Sequence, residues 1–132
     1  MTDITTNECA RTIMFAGELR TFNLNNRDIL STIAGSHDLR NLSLLMKFQG
    51  RAPLDGQYGP TPAAALKRFI QGEYSVSDIE NVIALGLIGG GTSVDEAFRL
   101  VAENVTGKPL AANALIASEV ISALFVGEQE AA

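Results

Sequence analysis

Between Pro62 and Val126, glycines and capping residues cut the chain into pieces that suit short helices. Gly72, the run Gly89-Gly90-Gly91 and Gly107 each follow apolar residues at helical spacing, and glycine is the common residue just past a helix end. Ser75 with Asp78, and Ser93 with Glu96, have the spacing of a capping box. In that motif a hydroxyl and a carboxylate satisfy N–H groups left over at a helix start. Ser77 with Glu80 offers the same spacing two residues on. The punctuation predicts helices over about Pro62–Gln71, from Ser75 or Ser77 through about Leu87, from Ser93 to Gly107, and from Pro109 onward. The third of these carries Val94, Ala97, Phe98, Val101, Ala102 and Val105 on one apolar stripe.

Upstream the period changes. Ile13 and Phe15 alternate before Ala16-Gly17, and Leu19, Phe22 and Leu24 follow. This predicts a hairpin of Thr12–Phe15 and Leu19–Asn23, which is not stable alone and must pack on helices. Asn25 with Asp28 caps a helix over about Asn26–Ala34, ended by Gly35. A second opens at His37-Asp38 and carries Leu39, Leu42, Leu45, Met46 and Phe48 towards Gly50. Residues 50–62 hold three glycines and three prolines, the composition of a mobile loop. The expected class is α+β, mostly α: an N-terminal β-hairpin packed on a bundle of about five to six short helices. One domain is expected over residues 11–127, with a flexible arm at 1–10 and a frayed tail at 128–132.

Composition bounds the function. With 46% hydrophobic and 19% charged residues, the 132-residue chain can build one core. Its net charge of −5 argues against a nucleic-acid surface and against a hold on anionic lipid. Cys9 is the one cysteine and His37 the one histidine, so neither an internal disulfide nor a conventional zinc site is expected. The start, MTDITTNECAR, lacks the basic-then-apolar pattern of a signal peptide, and an intracellular protein is expected. The most apolar stretch, Leu110–Val126, is short of the roughly 20 residues of a membrane span and carries Asn113 and Glu119. It is apolar nearly all round, so it must be buried on several faces or meet a partner chain.

The candidates for chemistry are few. Gly89-Gly90-Gly91-Thr92 has neither a following GK[ST] nor a preceding strand, and reads as a turn whose glycines allow positive φ. His37 and Asp38 are adjacent at a helix start, where the carboxylate serves the helix N-terminus. Cys9 has no activating neighbour in sequence. Asp78, Glu80, Asp95 and Glu96 fall in first turns, where capping explains them. Lys67 and Arg68, with Arg11, Arg20 and Arg27, are scattered among acids and read as solvated surface. The residues alone describe a non-catalytic interaction protein with no cofactor and no metal.

The order of features carries a further signal. A hairpin of the form xIxFxGxLxxFxLxxxDI comes first, then a helical stretch from Asp38-Leu39. FIQGEYSVSDIENVIALGLIGGGTSVDEAFRLV follows from Phe69, and ALIASEVISALFVGE closes from Ala114. The specific part runs from Phe69 to Gly91: FxxG, the SxxDI helix start and the GLxGGG close, continued by Asp95-Glu96 and by LFxG at Leu124–Gly127. This resembles the gene transfer agent and siphophage proteins known as tail tube or tail assembly chaperone proteins, over most of Arg11–Glu128. The chain departs from that pattern at GRAPLDGQYGPTPAAA, which has the look of an insertion.

The resemblance implies a tail assembly chaperone in the cytoplasm of a bacterial host. Such a protein binds the tape measure protein, keeps that long hydrophobic helical chain soluble and helps recruit tail tube protein. It needs no active site and binds neither nucleic acid nor membrane. A structural tube or connector component retained in the particle is the alternative. Grooves between helices accept an amphipathic partner helix. The expected contact surface is Leu115, Ile116, Val120 and Phe125 with Phe98 or Val101, and a second copy of the chain is a further candidate partner.

Overall fold

The computed structural model describes residues 9–24 and 62–126. Among them are an antiparallel hairpin, β1 (Arg11–Phe15) and β2 (Glu18–Phe22), and four helices. These are α1 (Pro62–Gln71), α2 (Val76–Gly89), α3 (Val94–Asn104) and α4 (Leu110–Val126). The chain is mostly helical with an N-terminal hairpin, as the sequence predicts, and four helices stand among the described residues where five to six were expected over the whole chain. The helices read over Asn26–Ala34 and from His37 to Gly50 lie outside the described residues, as does the loop at 50–61.

Ala16 and Gly17 have φ of 55° and 85°. Positive φ at both turn positions gives the type I′ geometry, whose twist matches that of the flanking strands. The register pairs Phe15 with Glu18 and Arg11 with Phe22. Phe15 and Phe22 are buried, and their rings meet edge to face with centroids 5.9 Å apart. The opposite face leaves the cross-strand partners Met14 and Leu19 exposed.

Helix α2 is the centre of the molecule. Residues 81–89 are all buried, with α3, α4 and β2 packed around them. Two glycines permit that packing. A Cβ added at Gly86 would lie 3.0 Å from Val120 Cγ1 on α4 and 3.2 Å from the Phe22 ring. One added at Gly90 would lie 2.0 Å from the Thr21 carbonyl oxygen, well inside contact distance. The Asn23 N–H donates to the Gly86 carbonyl at 2.9 Å, tying the end of β2 to the helix.

The glycine run therefore differs from the expectation of a turn built on positive φ. That reading holds for Gly91, with φ 111°, but Gly89 is the last helical residue and Gly90 has φ −85°. Gly91 N–H donates to Ile88 at 3.0 Å and Thr92 N–H to Leu87 at 2.9 Å, a Schellman close. Gly90 is required for room, because the hairpin backbone lies against it.

The first two helices are joined through a buried ion pair. Arg68 Nε and Nη2 donate to Asp78 Oδ2 and Oδ1 at 2.7 and 2.6 Å, with side chains 1% and 3% exposed. Asp78 Oδ2 also accepts the Ser75 N–H at 3.0 Å, and Ser75 Oγ accepts the Asp78 N–H at 3.0 Å. Of the two possible boxes, the one on Ser75 forms. The placement corrects the reading of Arg68 as solvated surface. Arg68 lies one turn after the buried Ala64, on the inward face of α1, whereas Lys67 is exposed. Tyr74, in the link, stacks on Phe69 with centroids 5.2 Å apart.

We expect Asp78→Ala to cost about 3–5 kcal/mol, because it strands a buried guanidinium and removes a cap. Gly90→Ala should cost about 1–3 kcal/mol by pushing β2 off α2. Urea denaturation of the two variants against the parent chain measures both.

Candidate functional site

Two surfaces are built around α2, one on α4 and one between α2 and α3. Helix α4 turns Ala114, Ala117, Val120, Ile121 and Ala123 inward. The alanines let the helix lie close on its neighbours, and several larger apolar side chains point out. Leu115 is 74% exposed, Val126 56% and Phe125 46%. Leu115 and Val126 are three turns apart and share a stripe with Glu119 and Ser122 between them. The helix expected to be buried on several faces or to meet a partner chain packs on α2, α1 and β1 and leaves one side exposed, and the more completely buried helix is α2.

The second surface is a groove between α2 and α3 that encloses a cavity of about 180 Å³. Glu80, Asn81 and Ala84 line it from α2, and Phe98, Val101 and Ala102 from α3, with Thr106 beyond the helix end. The Thr106 hydroxyl donates to Glu80 Oε2 at 2.7 Å. Asn81 is buried, and no hydrogen bond to its side-chain amide is found among the described residues. On the outer face of α3, Arg99 bridges Glu96 and Glu103. Its hydrogen bond holds the Glu96 carboxyl below the usual range, and Glu96 in turn raises Arg99. A depressed carboxyl stabilises the fold at neutral pH and loses that contribution as pH falls through its lowered value. At this exposed position the contribution is small.

The six residues expected to form a contact surface fall on two sides of α2. Phe98 and Val101 line the α2–α3 groove, Phe98 half-buried and Val101 buried. Leu115 and Phe125 are exposed on α4, Ile116 is half-buried and Val120 is in the core. Helices α3 and α4 pack chiefly on α2 rather than on each other. Asn81 escaped the sequence reading, because beside Glu80 and Asp78 it belongs to the polar start of the helix, before the apolar run from Val82.

Among the other candidates, Cys9 is half-buried with its Sγ 4.0 Å from the Leu124 carbonyl, and His37-Asp38 lies outside the described residues. Asp78 caps α2 through its carboxylate as expected, whereas at the start of α3 the Ser93 hydroxyl caps and the Glu96 carboxylate pairs with Arg99 instead. Among the described residues, no group of three His, Cys, Asp or Glu side chains could hold a metal ion, and no helix is long and apolar enough to cross a membrane.

The family model described as phage tail tube protein, GTA-gp10, matches residues 9–127. No curated protein and no solved structure matches.

The burial pattern separates the α4 variants. Leu115→Ser should change stability by no more than about 0.5 kcal/mol, the range of surface substitutions. Val120→Ser should cost about 2–4 kcal/mol through a cavity and a buried hydroxyl against Gly86. Thermal melts of the two read the difference directly.

Proposed function

The chain belongs to the phage tail tube protein family GTA-gp10, and from that membership we propose that it is a tail assembly chaperone. In this reading it binds the tape measure protein in the cytoplasm of the bacterial host, assists assembly of the tail tube and catalyses nothing. The observation that carries the reading is the outer face of α4. Leu115, Phe125 and Val126 stand in solvent on a helix that has already buried its inner face. An apolar surface of that kind gains free energy only when something covers it. A long hydrophobic helical chain awaiting assembly is a suitable cover, and its side chains at helical spacing would lie along the stripe. The tail tube protein and a second copy of this chain are the other partners the face admits.

A second reading has its own support. The family description names a tail tube protein, which fits a structural component retained in the particle. Against it, a tube that polymerises through sheets needs more strand than the one two-stranded hairpin among the described residues. Mass spectrometry of purified mature particles separates the two. We expect the chain to be absent from particles while abundant in the producing cells. Many copies per particle would replace the chaperone by the structural reading.

A further inference from the structure

The α2–α3 groove holds two polar groups that the fold does not fully use. Asn81 is only 6% exposed, and its side-chain amide finds no hydrogen-bond partner among the described residues. A buried amide left unpaired weakens a fold, and most such groups in native proteins are paired. Beside it, Glu80 accepts one hydrogen bond from Thr106 at 2.7 Å and has no cation partner among the described residues. The walls are apolar, formed by Ala84, Phe98 and Val101. The cavity of about 180 Å³ is smaller than the roughly 300–1,000 Å³ of cofactor and small-molecule sites. It suits one side chain.

The chemistry of the walls selects that side chain. Leucine would fill the apolar part but leave the amide unpaired and give the carboxylate no donor beyond Thr106. An acidic residue would be repelled by Glu80. A lysine ammonium is compact and strongly hydrated, and holds on to its water. Arginine has an aliphatic stem for the apolar walls and five N–H donors in a plane for two acceptors at once. Its guanidinium is weakly hydrated, so entry into a half-buried groove is less costly. The net charge of −5 draws a basic segment towards this chain in any case.

The geometry points to the α2–α3 groove as a docking site for an arginine side chain of a protein partner. The stem lies along Phe98 and Val101, and the guanidinium is shared between the Glu80 carboxylate and the Asn81 amide oxygen. The Asn81 NH2 group is left to donate to a main-chain carbonyl of the partner. As a partner site the groove rests on the binding role proposed above. Its chemistry can be tested without any tail protein, so failure here and failure of the chaperone reading are separate results.

The full chain, labelled with 13C and 15N, is titrated with N-acetyl-arginine amide, and in parallel with the lysine and leucine amides. The arginine amide should give saturable shifts of the Asn81 side-chain amide and of Thr106, and the other two should not. Glu80→Gln keeps the size of the side chain and an oxygen for Thr106, and should weaken binding on the order of tenfold. Asn81→Leu should abolish binding and raise the melting temperature, the signature of a group kept for binding at a cost to folding. Equal binding of the leucine or lysine amide, unchanged binding by Glu80→Gln, or no saturable shift at all would each overturn the assignment. If Asn81→Leu does not fold, the Glu80→Gln titration and the three amides still decide.

Discussion

The Arg68–Asp78 pair sets the frame on which the rest is hung. Both charges are out of water, and such a pair is stable only when geometry and hydrogen bonds offset the cost of desolvation. Here the two guanidinium contacts are at 2.6 and 2.7 Å, and the carboxylate also takes the N–H of Ser75. One carboxylate thus starts α2 and fixes α1 against it. Because a displaced Arg68 would strand a buried charge, α1 has little freedom to slide. Replacing such a pair as a whole by apolar residues is often neutral, whereas removing one partner alone is strongly destabilising.

From that fixed start, α2 runs through the middle of the molecule, and its glycines decide how closely the other elements approach. Gly86 admits Val120 and Phe22, and Gly90 admits the backbone of β2. Close approach on these sides has a consequence for α4. The face it presents to the core is rich in alanine, so Leu115, Phe125 and Val126 are left outside. The exposed apolar residues that support a binding role therefore lie on the side of α4 turned away from the packed centre.

The two surfaces around α2 differ in kind. The α4 face is broad and mainly apolar, and its attraction for a partner is non-directional. The α2–α3 groove is small and polar at two points, and its attraction depends on donor geometry. A binding module that holds a long partner without error benefits from both: area supplies affinity and placed polar groups supply register. Membership of a tail protein family fits such a division, since tail proteins work by binding other tail proteins.

Local chemistry was legible in the sequence because its causes lie within a turn of each other. Pro62–Gln71, the Ser75–Asp78 box, the Ser93–Glu96 cap and the turn at Ala16-Gly17 were all readable from residues three or four apart, and the structure has them. The stripe from Val94 to Val105 marked α3 for the same reason. Composition and feature order pointed to a non-catalytic tail protein, and the family match supports the tail part of that reading. Tertiary structure alone decided that Arg68 is buried while Lys67 is not, and that Gly90 serves close approach rather than positive φ. It also made α2 rather than α4 the central helix, and left the Asn81 amide in a groove without a hydrogen-bond partner among the described residues. Each of these depends on what stands across the gap from the residue. Thr21 is 69 positions from Gly90 along the chain and in contact with it in space. Periodicity and capping report a residue's own turn, and carry no record of the element that packs against it.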